Sequence, residues 1–425
     1  MDVVIAYLPT TFGDFLLMFW FAIIFELPRF VFATVAVGLA EFFRPGSVTA
    51  PTGQRSAWEK PPLVSLLLAG HNEGACLETA VRGLKEQTYQ NIEIIVIDDG
   101  SIDDMADVGK ALLADGQIDS FLSTGLRGGK SAAANYGLGH CRGDIVMIAD
   151  IDTSFDIDAI ERVIEPLADP EVGAVSGNLA VRNPRDSVVT RYQSLQYLLS
   201  ISLGRRFSSM LGMLFIASGA FAAFRRHALL GIGGWEVGPG EDADITAKIR
   251  QCGWKVRFAP HAWALTDVPV DALSLARQRL RWNRSLIRVR LRKFAPMFNP
   301  LRPNFSLANA AGHADILFFQ GLLPLSFCFY LITLFANYGS DALAILAIVS
   351  ASYVITTFFA ALVALALNPA YADWRLLLYV PGYSLFNAYF LRTVSVYSYI
   401  DEWFLRKSYK DSYVPTRVLD AAEKF

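Results

Sequence analysis

The chain has few of the residues that build disulfide frameworks or transition-metal sites. Of its 425 residues, four are cysteines and five are histidines. Cys76, Cys141, Cys252 and Cys328 lie far apart without CxxC spacing, and no two histidines are spaced as metal ligands. This pattern argues against both a disulfide-stapled fold and a zinc site. Reduced thiols fit a domain that faces the cytoplasm.

Charged residues are also scarce, at 18% of the chain, and the formal net charge is −2. A balanced charge provides no global field for nucleic acid, so we expect no nucleic-acid partner. Hydrophobic residues make up 53%, and the mean hydropathy is +0.34. These values are too apolar for a wholly soluble protein. The length allows one large domain or two ordinary ones.

Apolar residues concentrate at the two ends of the chain. Residues 15–25 and 30–40 are apolar runs separated by a short segment that contains Pro28. Each run alone is too short to cross a bilayer of about 30 Å, but joined they form one span that is bent near the proline. A cleaved signal peptide is the alternative, although residues 1–13 contain no basic residue and the apolar pattern continues too far.

Towards the other end, residues 316–336 and 342–367 are each long enough to span a bilayer. Residues 376–400 form a less uniform third stretch, because polar or helix-breaking residues interrupt it: Pro381, Gly382, Asn387 and Arg392. This third segment either spans the membrane or lies partly in the interface. The spans lack paired intramembrane charges and obvious repeats, which counts against a transporter.

The placement of Lys and Arg predicts the orientation. Residues 1–13 have none, whereas basic residues follow the first span and a dense set precedes the second: Arg44, Arg55, Lys60, Arg284, Arg288, Arg290, Arg292, Lys293 and Arg302. The rule that cytoplasmic loops are basic therefore predicts a multi-pass protein of a bacterial-type inner membrane, with its middle domain in the cytoplasm. Arg406, Lys407 and Lys410 favour a cytoplasmic tail, which conflicts with an outside tail if residues 376–400 cross.

The middle of the chain has the pattern of an α/β domain. Short apolar strands are predicted at 64–68, 93–98, 144–149 and 172–176, with helices such as 77–87 and 131–140 between them. Alternation of strands and helices predicts a mostly parallel sheet. The predicted divisions are an N-terminal transmembrane segment 1–45, a linker 46–62, the α/β domain 63–285, a basic amphipathic interface segment 286–311, transmembrane helices within 312–400, and a tail 401–425.

Two pairs of acidic residues directly follow two of the predicted strands. Asp98 and Asp99 follow one strand, and Asp150 and Asp152 follow another. The carboxyl ends of parallel strands meet at one edge, so these carboxylates are expected to converge there. Uncompensated, that convergence is unfavourable and implies a cation such as Mg²⁺ or Mn²⁺. The alternative is that aspartates at strand ends cap the following helices, as Asp103 or Asp104 is expected to do.

A series of motifs in order resembles the family-2 glycosyltransferases with the GT-A fold. The motifs are PLVSLLLAGHNE (62–73), IIVIDDGS (94–101), GGKSAAAN (128–135), IADID (148–152), GED (240–242) and QRLRW (278–282). The last matches the QxxRW signature of the processive branch, which includes cellulose, chitin and hyaluronan synthases, chitooligosaccharide synthase and poly-N-acetylglucosamine synthase. The ordered set is specific, although no single motif is. The resemblance implies a GT-A domain flanked by transmembrane helices.

The resemblance also implies roles for the residues that bind the donor. Asn72, Glu73, Asp98 and Asp99 are expected around the nucleotide, with the two aspartates contacting uridine. Asp152, with Asp150 beside it, is expected to hold the metal on the diphosphate. Lys130 begins a helix, where the helix dipole does not favour a cation, so a nearby anion is expected. A solvated surface lysine is the alternative.

The resemblance assigns the reaction itself to two further motifs. Asp242 is expected to be the general base, with Glu241 beside it, although the threonine of the family's TED motif is replaced by Gly240. Simple negative charge at a helix N-terminus is the alternative for both residues.

In the second motif, Arg281 offers a fork suited to diphosphate, and Trp282 offers an apolar face for a sugar ring. Gln278 lies one helical turn before Trp282 and can face the same cleft. A basic amphipathic helix on anionic lipid is the alternative, and it is expected for residues 284–293.

The expected reaction is inverting, metal-dependent transfer from a UDP-sugar to a growing β-linked polysaccharide or oligosaccharide, processive and coupled to export through the lipid bilayer. Transfer of a single sugar to a lipid-linked acceptor is the alternative, and a transporter without catalysis is a third class. A homo-oligomer or an export partner is compatible with the small number of spans. The motifs leave the sugar, its linkage and the product length open.

Overall fold

In a computed structural model of the chain, the described residues are 11–43, 58, 60–238, 240–302, 305–410 and 414–421. Most of the predicted linker, 46–57 and residue 59, lies outside them, as do parts of the N-terminus and the tail. An eight-stranded mixed sheet forms the centre of the α/β domain. Its strands are β1 (Val64–Gly70), β2 (Ile92–Asp98), β3 (Ser120–Ser123), β4 (Ile145–Ala149), β5 (Ser154–Phe155), β6 (Val172–Val181), β7 (Phe221–Arg225) and β8 (Lys255–Thr266).

The strand order across the sheet is β3-β2-β1-β4-β7-β6-β8-β5. Four pairings are parallel, namely β1 with β2 and β4, β2 with β3, and β6 with β8. Three are antiparallel, because β7 runs against β4 and β6, and β5 runs against β8. The mostly parallel sheet predicted from the sequence is confirmed, and the antiparallel strand β7 lies in its middle.

The central strands are continuous apolar runs because both of their faces are covered. Along β1, Leu66 and Leu68 pack into the core on one face of the sheet, while Leu67 and Ala69 pack into the core on the other. All four are buried, and burial of a leucine side chain stabilises the fold by about 1.5–3 kcal/mol. This burial explains why β1, β2 and β4 could be predicted from short hydrophobic stretches.

Helices cover the sheet, and further helices precede and follow the α/β domain in the chain. They are α1 (Phe12–Trp20), α2 (Leu27–Phe43), α3 (Gly74–Lys85), α4 (Met105–Ala114), α5 (Lys130–Leu138), α6 (Ala159–Ile164), α7 (Val188–Gln196), α8 (Gly204–Met210), α9 (Arg226–Gly231), α10 (Glu241–Gln251), α11 (Ala272–Ser285), α12 (Leu307–Ile316), α13 (Leu323–Tyr338), α14 (Ala342–Ala366), α15 (Val380–Leu385), α16 (Arg392–Leu405) and α17 (Thr416–Ala421). Wider π-helical turns join several neighbours: Phe21–Glu26, Tyr197–Leu203, Leu286–Lys293, Leu317–Leu322 and Phe386–Leu391. Short 3₁₀ turns occur at Glu165–Ala168, Ala295–Phe298, Gly339–Asp341, Pro369–Tyr371, Trp374–Tyr379 and Lys407–Lys410.

Two stretches of the described residues are long and apolar enough to cross a membrane, Phe12–Phe43 and Leu307–Ala366. In the first, a π-helical turn lies just before Pro28, whose missing amide weakens the hydrogen bonding of the preceding turn. In the second, Gly339 has a positive φ of 54° and separates α13 from α14. The third predicted segment is helical from Trp374 to Leu405, but of the described residues only the first two stretches meet the criteria of length and hydropathy.

The expectation that the flanking apolar segments lack paired charges is wrong. Arg29 donates to the Asp315 carboxylate at 2.9 Å, and Arg392 forms an ion pair with Glu26. The partners lie 286 and 366 residues apart in the chain. Such pairs satisfy charges that are costly in an apolar setting, and the sequence could not show them because each charge appears alone in its own segment.

The basic residues of 284–293 contact other parts of the protein. This finding differs from the prediction that they contact anionic lipid. Arg284 pairs with Asp401 at 2.5 Å, and Arg292 pairs with Glu402 at 2.9 Å. Three further cations are held by the α/β domain: Arg288 by the Val237 carbonyl, Arg290 by the Phe215 carbonyl, and Lys293 by Glu236 and Asp244. All five side chains are largely buried. The segment therefore joins the domain to the tail.

Candidate active site

Strand register brings the predicted donor-binding residues to one edge of the sheet. Gly70, at the end of β1, pairs with Asp98 at the end of β2, and Leu68 pairs with Ala149 at the end of β4. The loops that follow these three strands carry Asn72 and Glu73, Asp99, and Asp150 and Asp152 respectively. Ligands of parallel α/β sheets bind beyond the carboxyl ends of the strands.

Asp98 and Asp99 are buried and hold the loops around them. The Asp98 carboxylate accepts hydrogen bonds from the Ser101 amide at 2.8 Å and the Ser123 hydroxyl at 3.0 Å. The Asp99 carboxylate accepts from the amides of Gly128 and Gly129, both at 2.7 Å. The two aspartates therefore fix the loop that leads to α5. Direct contact with uridine stays a prediction.

Asn72 and Glu73 follow β1 and differ in how their side chains are satisfied. The Asn72 backbone has a positive φ of 62°, its amide donates to the Ser101 hydroxyl at 2.9 Å, and its side-chain oxygen accepts from the Ile102 amide at 2.9 Å. The Glu73 Oε2 atom is buried and has no hydrogen-bond partner among the described residues. Burial, with the nearby charges of Asp152 and Asp150, raises the pKa of Glu73 to about 7.

Lys130 is the first residue of α5, and its ammonium forms an ion pair with Asp150. The same ammonium donates to the Gly219 carbonyl at 2.9 Å. Burial alone would lower the pKa of Lys130, but the charges of Asp150 and Glu241 outweigh it and raise that pKa. Asp150 is thus the anionic protein partner of this lysine, and the alternative of a solvated surface lysine does not describe its position. Contact of Lys130 with the nucleotide stays a prediction.

Asp152 is exposed, and Asp150 lies beside it at the same strand end. The part of its carboxyl that faces the protein is desolvated, and this desolvation, together with the charge of Asp150, raises the pKa of Asp152. Arg182 donates to the Asp152 carbonyl oxygen at 2.8 Å and forms a two-point ion pair with Asp267 at 3.0 and 2.5 Å. Arg182 therefore holds the backbone of this loop, a role that its position in the sequence did not signal.

The described residues contain no group of three or more His, Cys, Asp or Glu side chains able to hold a metal ion by themselves. Two neighbouring carboxylates, one of them exposed, are nevertheless the donor set that Mg²⁺ or Mn²⁺ uses when substrate phosphates complete the coordination. The residues present therefore fit a metal that binds together with a diphosphate.

Glu241 and Asp242 are the first two residues of α10, and they approach the place where Lys130 and Asp150 meet. A Cβ atom at Gly219 would lie 3.3 Å from Glu241 Oε1, 3.4 Å from Lys130 Nζ and 4.0 Å from Asp242 Cβ. Burial and the Asp242 charge raise the pKa of Glu241. By contrast Asp244, one turn on, pairs with Lys293 at 2.5 Å. Lys130, Asp150, Glu241 and Asp242 thus gather around Gly219.

Arg205, which the sequence did not single out, lies near this cluster. It belongs to α8, interacts electrostatically with Asp242, and donates to the Ser176 hydroxyl at 2.8 Å. Ser176 Oγ also accepts from the Ser218 amide at 3.4 Å. Burial lowers the pKa of Arg205 to about 10, a value at which it stays charged. In the sequence, Arg205 and Arg206 form a basic pair directly after the apolar run 197–203.

Gln278, Arg281 and Trp282 lie on α11, which packs against the loop before α10. A side chain at Gly240, whose φ is 83°, would collide with Ser285 near the end of α11. Trp282 is 42% exposed. Gln278 and Arg281 are half-buried. Gln278 Oε1 has no hydrogen-bond partner among the described residues.

Comparison with known proteins agrees with this geometry. The family model described as "Glycosyl transferase family 2" matches residues 65–233. The poly-beta-1,6-N-acetyl-D-glucosamine synthase of Staphylococcus aureus (strain COL) is 31% identical over 233 residues, which are 54% of this chain and 56% of the relative. The synthase of the same name from Staphylococcus epidermidis is 31% identical over 235 residues, 55% of this chain and 57% of the relative.

The chain therefore spans about half the length of the curated relatives it matches. Among solved structures, a mannosyltransferase from Pyrobaculum calidifontis in complex with GDP-Man and Mn²⁺ superposes with a TM-score of 0.58 at 22% identity, covering 83% of this chain and 99% of that one. This likeness supports the fold. The chain thus has the GT-A fold, and its residues 65–233 are similar to the family 2 glycosyltransferases.

Proposed function

We propose that the chain is a metal-dependent, membrane-bound glycosyltransferase that moves a sugar from a UDP-sugar to a growing β-linked glycan with inversion. The observation that carries the proposal is the cluster around Gly219. There Lys130 and Asp150, from the predicted donor side, lie next to Glu241 and Asp242. A cation for the diphosphate and a carboxylate for the acceptor proton are the two groups that a single displacement needs.

In the proposed reaction, the acceptor hydroxyl oxygen attacks the anomeric carbon while the bond from that carbon to the diphosphate oxygen breaks. Asp242 accepts the hydroxyl proton, a contribution of about 10²–10⁴-fold in rate. Lys130 and Arg281 provide positive charge where negative charge develops on UDP. Mg²⁺ or Mn²⁺, held by Asp152 and Asp150, would stabilise the same charge. Trp282 offers its exposed ring to the acceptor sugar.

We further propose N-acetylglucosamine as the transferred sugar and processive synthesis as the mode of action. The first rests on the names of the two staphylococcal relatives, and the second on the QRLRW motif at 278–282. A non-processive enzyme that adds one sugar to a lipid-linked acceptor would share the same cluster. Product length separates the two modes.

The test uses the purified full chain in lipid nanodiscs with radiolabelled UDP-N-acetylglucosamine and Mn²⁺. Long products are expected from the wild type, no transfer when EDTA removes the metal, and loss of transfer with retained UDP binding in Asp242→Asn. Asp107→Asn, which alters an exposed side chain, is the matched control. Near-wild-type turnover by Asp242→Asn would remove Asp242 from its role, and products one sugar longer than the acceptor would favour the lipid-linked alternative.

We also propose that the protein is a multi-pass protein of the inner membrane with its catalytic domain on the cytoplasmic side. Two apolar stretches and the basic residues after the first of them support this orientation. Cys76 and Cys252 are exposed on the α/β domain. A membrane-impermeant maleimide should label them in inverted vesicles but not in intact spheroplasts, and labelling of intact spheroplasts would reverse the orientation. The double variant Cys76→Ser/Cys252→Ser is the control for both signals.

A further inference from the structure

Arg279 lies within the QRLRW motif but has no role assigned to it. It precedes Trp282 by three residues on α11, so the two side chains share one face of the helix. The Arg279 guanidinium carbon lies 4.2 Å from the centroid of the Trp282 ring. Its Nη2 atom donates to Gln196 Oε1, at the end of α7, at 2.8 Å. The guanidinium is therefore fixed between a neighbouring helix and the indole ring.

The placement of this guanidinium is unfavourable by itself. Burial lowers the pKa of Arg279, and the nearby Tyr197 and Tyr383 offset this effect only in part. The Nε atom of Arg279 is buried without a hydrogen-bond partner among the described residues. A buried donor without a partner is costly, because it has lost its hydrogen bonds to water. Arg279 recovers part of this cost through its contact with the indole, since a cation over an aromatic ring is attracted more strongly when it is desolvated.

Trp282 needs such a restraint because the residue is 42% exposed. An exposed side chain without contacts exchanges among its rotamers, and it loses that freedom when it binds a ligand. With one face of the ring against Arg279, the remaining surface of the ring is presented in a fixed orientation. A sugar binds an aromatic ring through one apolar face, so it needs only the face that stays open.

We propose that Arg279 is a positioning residue that fixes the Trp282 indole and thereby presents its open face to the acceptor sugar. The inference deepens the proposed function and rests on it for the nature of the ligand. Arg279 itself touches neither the sugar nor the nucleotide in this proposal. It acts through Trp282, and its own guanidinium is held in place by the hydrogen bond that it donates to Gln196.

The test measures equilibrium binding of a soluble β-linked N-acetylglucosamine tetramer to the full chain in nanodiscs. Arg279→Met should weaken binding of the tetramer about 2- to 13-fold, the cost of ordering one free side chain when the ligand binds, with UDP affinity unchanged. Arg279→Lys keeps a cation above the ring and should restore most of the affinity. Arg277→Met, at an exposed position of the same helix, is the matched control and should bind as the wild type does.

A double-mutant cycle with Trp282→Ala separates positioning from general stabilisation. If Arg279 acts through the indole, Arg279→Met should have no further effect on tetramer binding in the Trp282→Ala background. Additive losses, or equal loss of tetramer and UDP affinity in Arg279→Met, would overturn the proposal, as would a wild type that binds no tetramer. A wild type that binds the tetramer through Trp282 and Arg279 but does not turn over UDP-N-acetylglucosamine would overturn the proposed reaction alone.

Discussion

Asp99 shows how a single buried carboxylate can organise a site that it was expected to contact directly. Each of its two carboxylate oxygens accepts a hydrogen bond from a backbone amide, one from Gly128 and the other from Gly129. These amides precede Lys130, so the position of that cation depends on the bonds to Asp99. Charge-assisted bonds of this kind are about twice as strong as neutral ones. The loop is therefore held in place without a nucleotide.

Asp99→Asn is expected to destabilise the protein even in the absence of nucleotide. Asparagine has one acceptor oxygen, so one buried amide loses its partner at a cost of about 1–3 kcal/mol. Thermal unfolding of the ligand-free chain should show a lower midpoint, and the affinity for UDP should fall as well. Asp107→Asn is the control. An unchanged midpoint together with weakened UDP binding would instead support a role limited to the nucleotide.

The raised pKa of Glu73 predicts that the stability of the protein depends on pH. Its pKa is raised from 4.5 to about 7, so between those values the folded protein keeps a proton that the unfolded chain has released. Its contribution to stability is therefore full below pH 4.5 and is lost as the pH rises to about 7. Partial solvent exposure reduces the size of this contribution to about 1–2 kcal/mol.

The variant Glu73→Gln cannot ionise, so its stability should vary less over this pH window than that of the wild type. Thermal unfolding midpoints measured from pH 4.5 to 8 with EDTA present would show the difference. Glu78→Gln, an exposed position on the same helix, should follow the wild type. Parallel curves for the wild type and Glu73→Gln would contradict the raised pKa.

At the residue scale, the sequence predicted the acidic and basic residues of the cluster but not the residues that position them. Asp150, Lys130 and Asp242 stand in motifs, and an unusual helix start marked Lys130 as a residue with an anionic partner. Arg205 and Arg279 are missed because their partners Ser176 and Gln196 lie 29 and 83 residues away. Spacing within a segment carries no information about such contacts.

At the scale of elements, continuous apolar runs predicted β1, β2, β4 and the first half of β6. These strands are buried on both faces, which is why their sequences are uniformly apolar. The remaining strands were not predicted. The antiparallel strand β7 is five residues long and ends at Arg225, and β8 mixes polar and apolar residues because parts of it are exposed.

The junction between α10 and α11 depends on a glycine for two separate reasons. Gly240 has a φ of 83°, and an added Cβ would collide with Ser285. Gly240→Ala should therefore cost about 1–2 kcal/mol for the left-handed backbone and more for the collision, and it should move Asp242 relative to Trp282. We expect a lower thermal midpoint and a large loss of transfer.

Gly253→Ala is a matched control, because Gly253 has a φ of 89° but open space around its Cα. This variant should show only the backbone cost and should keep its activity. Equal effects of the two substitutions on the thermal midpoint and on transfer would show that the contact with Ser285 is not important.

At the scale of the whole molecule, the tail and the α/β domain are joined through the helix that carries the QRLRW motif. Arg284 and Arg292 pair with Asp401 and Glu402 near the end of α16, and Lys407 also reaches Asp401 at 2.6 Å. The sequence predicts a lipid-facing surface for these cations and cannot reveal the ion pairs, because the acidic partners lie more than 100 residues away. The motif helix is therefore held from both the domain side and the tail side.

Glu402→Ala tests how much this junction contributes. The Glu402 carboxylate is fully buried and accepts from Arg292 at 2.9 Å and from the Ser408 amide and hydroxyl at 2.7 and 2.9 Å. Removal of one member of a buried pair costs about 3–5 kcal/mol, because the other charge stays buried. We expect a lower thermal midpoint and faster proteolysis of the tail after Leu405. Glu171→Ala removes an exposed partner of Lys255 and should cost about 0–1 kcal/mol. Similar effects of the two substitutions would mean that the tail is not anchored through Glu402.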